Sequence, residues 1–227
     1  MQDLVHDLVC ILEDTKVSSA VCMGHDWGSQ VCYEAARMRS DIFNAVIGLV
    51  VPVPGPYVSV KQFVPTIPKL AYQTYFDRRT QKAAIPPVPF FSTREEDYLV
   101  AAFERQGFLY TFGFYIEESR QMPHTFDNKQ GNFTIPQPVL SVLPTEVHLF
   151  HITYRTVEIY RLRQDPVADW SVAMKLLNSS ALITDLTVKF VDGAHWVHLE
   201  NPEPVNKAIK EWLQALPSDR RRPVDEL

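Results

Sequence analysis

The chain has 227 residues, of which 46% are hydrophobic and 22% charged, as expected for a globular protein with one large domain or a domain that carries an insertion. Its formal net charge of -5 provides no basic field for a nucleic-acid backbone or an anionic membrane surface. The most apolar stretch, residues 45–51, is too short to cross a bilayer, and we expect no membrane span and no secretory leader.

The first quarter of the chain alternates helical and strand patterns. Apolar residues recur at helical spacing from Leu4 to Leu12, so we expect the chain to begin inside a helix. The pattern then predicts a buried strand over residues 17–23, a helix over 29–38 and a second strand over 45–51. Strands that alternate with helices predict a mostly parallel sheet covered on both faces.

Residues 57–134 differ in composition from the residues before them, because they are rich in aromatic residues and proline. They also contain no convincing strand pattern. Helical patterns over 95–105 and 110–121 predict a helical insertion that forms a lid over the carboxyl ends of the strands. Strand character resumes at 138–143 and 186–191, and an amphipathic helix follows at 204–216. The predicted domains are therefore a core of residues 1–56 and 135–227 and a lid of residues 57–134.

Three cysteines, Cys10, Cys22 and Cys32, lie in apolar helix or strand contexts. We expect them to be reduced thiols packed in the core. Reduced thiols in turn indicate a reducing, cytoplasmic compartment.

Residues 24–28 read Gly-His-Asp-Trp-Gly between a predicted strand and a predicted helix. The form Gly-x-nucleophile-x-Gly is typical of a sharp turn that presents its middle side chain at the edge of the sheet. The middle residue here is Asp26, and a carboxylate can displace oxygen or halide at a saturated carbon to form an ester. An aspartate that caps the following helix is the structural alternative.

The motif His25-Asp26-Trp27-Gly28 resembles the nucleophile segment of the epoxide hydrolases and their dehalogenase relatives in the α/β-hydrolase superfamily. The similarity extends over nearly all of the chain up to Leu216, except for residues 147–164. It implies an α/β-hydrolase fold with an inserted lid and Asp26 as the catalytic nucleophile. Neither a cofactor nor a metal ion is expected.

A second resemblance lies near the end of the core, where residues 191–196 read Val-Asp-Gly-Ala-His-Trp. The segment is similar to the family's Gly-His-Trp sequence, with one extra residue between Gly193 and His195. The resemblance implies that His195 is the base that activates water, and the pKa of histidine suits this task. His198 is the competing residue, although its position fits a surface turn better.

The lid segments resemble those in which epoxide hydrolases place two tyrosines. Residues 71–76 resemble the first segment and place Tyr72 at the tyrosine position; Phe114 and the residue after it resemble the second and place Tyr115 there. Two phenols can hydrogen-bond an epoxide oxygen and protonate the developing alkoxide. Tyr75 and Tyr110 remain rivals for these roles.

The acid that orients His195 is expected shortly after strand 138–143, at Val147, which has no acidic group. Residues 147–164 match nothing expected in the family, and Asp165 follows them directly. We assign Asp165 as the acid, displaced by an insertion unless residues 147–164 loop out. Glu146 is the alternative acid and Asp169 a weaker one. Valine codons begin with GT and a glutamine codon can be CAG, so we hypothesise that residues 147–164 are a retained intron.

The backbone N–H of Trp27 is expected to stabilise the oxyanion of the ester-hydrolysis step. The family normally provides a second N–H from a His-Gly loop, and the chain contains no His-Gly dipeptide. The resemblance therefore implies that N-terminal strands are missing, as in a truncated gene model or a decayed gene product. Strand 17–23 is then expected to have an exposed edge.

The leading hypothesis is a hydrolase that opens a small apolar epoxide with water to a vicinal diol through an aspartyl ester. A haloalkane-type dehalogenase is the nearest alternative, but it needs halide donors, and Trp170 and Trp212 come too late in the chain to lie in the lid. A catalytically inactive truncated product or pseudoenzyme is the third hypothesis. The sequence does not indicate an oligomeric state.

Overall fold

The structure is a computed structural model that describes residues 2–53, 60–71, 92–105, 107, 114–115, 133–145, 148–153, 156–161, 165 and 167–217. Tyr72, Tyr75 and Tyr110 lie outside the described residues, as does the predicted helix over 110–121 except for residues 114 and 115. For the two short strands at 148–153 and 156–161, only the course of the backbone is described.

The first half of the chain follows the predicted order of elements. Helix α1 (Gln2–Asp14) precedes strand β1 (Ala20–His25), helix α2 (Trp27–Met38) and strand β2 (Phe43–Leu49). The region 57–134 contributes helix α3 (Val60–Phe63), a 3-10 turn (Pro68–Leu70) and helix α4 (Thr93–Glu104). Within the described residues of this region there is no strand, and its separation from the core as a lid remains a prediction.

The second half returns to the sheet and then ends in helices. Strand β3 (Ile135–Thr145) is followed by β4 (His148–Thr153) and β5 (Thr156–Arg161). Helices α5 (Trp170–Leu176) and α6 (Ser179–Leu182) lead to strand β6 (Ile183–Asp192). Helices α7 (Val197–Glu200) and α8 (Pro202–Ala215) complete the described chain.

Four strands form a parallel sheet in the order β1-β2-β3-β6. Alternate residues of β2 enter different cores, because successive side chains of a strand point to opposite faces. Ala45, Ile47 and Leu49 pack with α5 and α8 on one face, whereas Val46 packs with α1 and α2 on the other. The predicted parallel sheet with helices on both faces is therefore confirmed.

Residues 148–153 and 156–161, here called the hairpin, form a pair of strands outside this sheet. Strands β4 and β5 pair antiparallel with each other, and among the described strands they pair with no other. Strand β3 keeps its register with β6 up to the pair Thr145 and Asp192, where the hairpin departs. The insertion therefore follows the carboxyl end of β3 without disturbing the register of β3 and β6 from Pro138 to Thr145.

The expectation for the cysteines is wrong. Cys22 on β1 and Cys32 on α2 form a disulfide, with their Cα atoms 5.3 Å apart, and Cys10 is exposed on α1. The physical reason is the close packing of α2 on β1, which brings the two buried side chains together. The prediction of a reducing compartment rested on reduced thiols, and this disulfide removes that support. A cytoplasmic location remains a prediction.

Among the helices in the described parts of the chain, none combines the length and the apolar character that crossing a membrane requires.

Candidate active site

The turn at Asp26 joins the end of β1 directly to the start of α2. Asp26 has φ 53° and ψ -121°, a conformation that residues with a Cβ rarely adopt, and its N–H donates to the carbonyl of Leu49 at 3.1 Å. Its carboxylate makes no capping hydrogen bond to α2, so the helix-cap alternative is wrong. The turn instead presents a partly exposed carboxylate, with 26% of its side chain accessible, at the carboxyl edge of the sheet.

Two features hold this turn in place. A Cβ at Gly24 would overlap the backbone carbonyl of Gly28, so only glycine permits this approach of strand and helix, whereas a Cβ at Gly28 would meet open space. The buried hydroxyl of Ser29 lies 2.8 Å from the carbonyl oxygen of Gly24 and 3.0 Å from that of Leu49, and it accepts the Leu49 N–H at 3.1 Å. The serine thus connects the ends of β1 and β2 beside Asp26.

His195 lies between two carboxylates. Its Nε2 is 3.8 Å from Oδ2 of Asp26, and its Nδ1 is 3.2 Å from Oδ2 of Asp165. The first distance is too long for a direct hydrogen bond but allows one water molecule to contact both groups. The structure therefore brings together three residues that the sequence separates by 139 and 30 positions, although it does not test their catalytic roles.

Asp165 is buried where the chain returns from the hairpin. Oδ1 accepts the Val167 N–H at 2.7 Å, and Oδ2 accepts the indole N–H of Trp170 at 2.5 Å. Lys69 donates to its backbone carbonyl at 2.8 Å. Asp165 therefore contacts His195 although residues 147–164 precede it, which is the outcome expected if that segment loops out.

Asp169, the weaker candidate for the acid, bonds to the start of α5 and not to His195. Asp169 caps α5 by accepting the Val172 N–H at 3.0 Å and the Ser171 hydroxyl at 2.8 Å, and these bonds lower its pKa although partial burial opposes them. Glu146 lies outside the described residues.

The charges around His195 oppose its burial. Burial disfavours the imidazolium, but the hydrogen bond to Asp165 and the negative charges of Asp165 and Asp26 outweigh it and raise the pKa of His195 to about 9. The imidazolium of His195 thus lies between the carboxylates of Asp26 and Asp165. This arrangement can hold a nucleophile and a base in contact, and removal of charge from either carboxylate makes the neutral imidazole more accessible.

His25 and His198 form a second layer of imidazoles. His25 Nε2 donates to the backbone carbonyl of His195 at 2.7 Å, and its ring centroid lies 4.5 Å from that of His198. Burial lowers the pKa of His25, and burial together with the charges of His25 and His195 lowers the pKa of His198 to about 4. His198 therefore packs beneath the site and does not compete with His195 for contact with Asp26; its placement in a surface turn is only partly right, because α7 half buries it.

One segment of the predicted lid reaches the nucleophile turn. Phe114 stacks on Trp27 with ring centroids 5.4 Å apart, and Tyr115 meets the same indole edge-to-face at 5.7 Å. Tyr115 therefore lies beside the residue that follows Asp26, whereas Tyr72 lies outside the described residues. Trp27 is the first residue of α2, so its N–H has no acceptor within the helix and remains a candidate oxyanion donor.

Sequence reasoning did not find His25, Trp170, Lys69 or Ser29 as members of this site. His25 contacts a residue 170 positions away, and a contact of this kind has no local pattern, whereas Trp170 lies only five positions from Asp165. Ser29 could have been noted, because it stands in the first turn of the helix after the nucleophile.

The chain belongs to the alpha/beta hydrolase family, whose sequence profile matches residues 1–208. It is 54% identical to an epoxide hydrolase of Caballeronia sordidicola over 46 residues, which make up 20% of this chain and 14% of that protein. It is also 23% identical to epoxide hydrolase 1 of Caenorhabditis elegans over 227 residues, or 94% of this chain and 52% of that protein. The chain thus spans about half the length of the nematode relative.

A solved structure agrees with the family assignment. Epoxide hydrolase A from Mycobacterium thermoresistibile superposes with a TM-score of 0.68 at 20% identity, over 94% of this chain and 75% of that one. Similarity at this level of identity establishes the α/β-hydrolase fold. The resemblance to epoxide hydrolases noted in the sequence is therefore matched by relatives of that name.

Proposed function

We propose that the protein hydrolyses an apolar epoxide to a vicinal diol through a covalent ester on Asp26. The observation that carries the proposal is the row of Asp26, His195 and Asp165, with 3.8 Å and 3.2 Å between their facing atoms. Tyr115 beside Trp27 supports epoxide as the substrate, because a phenol can donate a proton to the oxygen that leaves carbon. The named epoxide hydrolase relatives support the same reaction class.

In the first step, an oxygen of Asp26 attacks one ring carbon of the epoxide. The bond between that carbon and the ring oxygen breaks, and its electron pair stays on the oxygen. Tyr115, together with Tyr72, supplies a proton to this oxygen. The product of the step is a hydroxyalkyl ester of Asp26 and a tyrosinate.

In the second step, His195 removes a proton from a water molecule that attacks the ester carbonyl carbon. The Trp27 N–H stabilises the negative charge on the carbonyl oxygen. The bond between that carbon and the ester oxygen breaks, and the diol leaves with a proton. Asp26 is regenerated as a carboxylate, the second proton returns to the tyrosinate, and the sum is epoxide plus water to diol.

The change of charge on Asp26 explains how His195 can be a base. In the free protein, both carboxylates favour the imidazolium and raise the pKa of His195 to about 9. Formation of the ester removes the negative charge of Asp26, so the pKa of His195 falls when the water must be deprotonated. Asp165 remains charged and keeps the Nδ1–H of His195 oriented.

The aromatic groups near Asp26 favour an apolar substrate. Trp27, Phe114 and Tyr115 pack together at the end of the sheet where the carboxylate is exposed. Aromatic rings bind apolar ligands by surface burial and stacking. We therefore propose that residues 57–134 act as the lid over an apolar, aryl-substituted epoxide.

The proposal is tested by incubating the purified chain with styrene oxide and measuring the phenyl diol by chromatography. We expect turnover by the wild type and none by Asp26→Ala. A haloalkane such as 1-bromobutane serves as a second substrate, and release of bromide without diol from the epoxide would identify a dehalogenase instead. A folded wild type that converts neither substrate would support the inactive alternative.

A further inference from the structure

The position of Asp165 is not set by strand β3 of the parallel sheet. Residues 146–164 separate the acid from the end of β3 at Thr145, so covalent continuity alone cannot aim its carboxylate at His195. The aim depends on local donors. The Val167 N–H holds Oδ1 at 2.7 Å, and Lys69 holds the backbone carbonyl at 2.8 Å.

Oδ2 of Asp165 is shared by two donors at different distances. The indole Nε1 of Trp170 lies 2.5 Å from this oxygen, whereas Nδ1 of His195 lies 3.2 Å from it. A short hydrogen bond to a carboxylate is a strong one, and one at 3.2 Å is near the limit of normal length. The indole is therefore the nearer of the two donors to this oxygen.

Trp170 is a fixed donor. It is the first residue of α5, which Asp169 caps, and it is 7% exposed within the core on this face of the sheet. A cavity of about 300 Å³ opens beside Asp165 and is lined in part by Thr145, Phe190 and Trp170. Asp165 is itself one of the lining residues, and the indole bond holds its carboxylate at the edge of this cavity.

We propose that Trp170 is a positioning residue that holds Oδ2 of Asp165 back from His195 and so limits the strength of the bond between the acid and the base. Loss of the indole frees Oδ2 to move toward Nδ1. The stronger bond then favours the imidazolium and makes the neutral base less available. The inference rests on the proposed role of His195 as the base of ester hydrolysis.

Other charged and titratable groups also face this part of the site and have to be kept constant in a test. His195 faces Asp26 and Asp165 directly, and His25 and His198 from the other side. The groups near the acid and the histidine loop are Lys69, Asp169 and Glu200. A substitution at Trp170 changes none of these charges.

The test is the titration of His195 in Trp170→Phe, followed by NMR on protein labelled in its histidine rings. Trp212→Phe is the matched control, because Trp212 is 8% exposed in the same core cluster and lies on α8. His195→Gln identifies the signal. We expect the midpoint of His195 to rise by at least about 0.5 pH unit in Trp170→Phe and to stay constant in Trp212→Phe. An unchanged or lower midpoint in folded Trp170→Phe overturns the inference.

A second measurement needs no substitution at Trp170. In the wild type labelled with ¹⁵N in its indoles, the Nε1–H signal of Trp170 should titrate with the midpoint of His195, because both donors share Oδ2. The response should vanish in His195→Gln. An indole signal that ignores the titration of His195 contradicts the inference even if Trp170→Phe does not fold.

Kinetics separate this inference from the proposed function. With styrene oxide, ester hydrolysis at pH 7 should slow about threefold in Trp170→Phe, and its rate should return to the wild-type value at high pH. If no variant converts epoxide but the midpoint of His195 rises in Trp170→Phe, the proposed function fails and the positioning role stands. If the wild type converts epoxide but the midpoint of His195 does not move in Trp170→Phe, the proposed function stands and the positioning role of Trp170 fails.

Discussion

Nε2 of His25 lies 2.7 Å from the backbone carbonyl oxygen of His195 and donates a hydrogen bond to it. His25, which directly precedes Asp26, thus holds the backbone of His195, and the imidazole of His195 faces Asp26. Burial lowers the pKa of His25, which keeps its ring neutral beside the charged ring of His195. The turn after β1 and the turn after β6 are therefore joined directly by this hydrogen bond.

This bond predicts different costs at two neighbouring histidines. His25→Phe keeps an aromatic ring but leaves the carbonyl of His195 without its donor, so we expect a loss of about 1 kcal/mol in the free energy of unfolding. His198→Phe removes a buried Nδ1 that has no partner within the described residues, so it should cost little or stabilise the fold. Urea denaturation measures both. Equal losses in the two variants would contradict the assignment.

The backbone at Asp26 predicts a second matched pair. The φ of 53° strains any residue with a Cβ, and glycine relieves this strain. We expect Asp26→Gly to be about 1 kcal/mol more stable than Asp26→Ala, and both to be inactive. The comparison is made by urea denaturation. An Asp26→Gly protein that is less stable than Asp26→Ala would show that the turn is unstrained.

The raised pKa of His195 predicts a dependence of stability on pH. Its ordinary value is 6.5 and its folded value about 9, so the folded state binds the proton more tightly than the unfolded state. The stabilisation is complete below pH 6.5 and is lost as the pH rises through about 9. Unfolding in urea from pH 6 to 10 should show this decrease in the wild type, measured as the difference from His195→Gln. Parallel curves for the two proteins would contradict it.

The hairpin of β4 and β5 should be dispensable for the core. It pairs with none of the other described strands, and β3 keeps its register with β6 to the last pair before the hairpin. Deletion of residues 147–164, which joins Glu146 to Asp165, should leave a folded protein of similar or slightly greater stability, because a shorter loop costs less entropy to close. Circular dichroism and thermal melting test this. A deletion variant that does not fold would show that the hairpin supports the core.

Local patterns predicted most of the core. The strands over 17–23, 45–51, 138–143 and 186–191 correspond to β1, β2, β3 and β6, with ends shifted by a few residues. The apolar runs of β2 and β3 report burial on both faces, which is a property of each segment alone. The place of Asp26 in a sharp turn was also predicted locally, from the flanking Gly24 and Gly28.

Contacts between different segments were harder to predict from the sequence. The pairing of Cys22 with Cys32 depends on how α2 packs on β1, and neither segment reveals this alone. The strands of residues 147–164 could not be assigned by resemblance, because the insertion has no counterpart in the expected pattern. The bond from Trp170 to Asp165 depends on the path by which the chain returns from that insertion.

The covalent ester on Asp26 is the central claim, and trapping it in His195→Gln tests it most directly. The variant keeps the nucleophile but lacks the base, so ester hydrolysis should slow by about 10²-fold or more while the ester still forms. After incubation with styrene oxide, intact-protein mass spectrometry should show an added mass equal to one epoxide molecule, mapped by peptide analysis to Asp26 and absent in the double variant with Asp26→Ala. Diol production without an adduct, or an adduct that persists when Asp26 is replaced, would contradict the account.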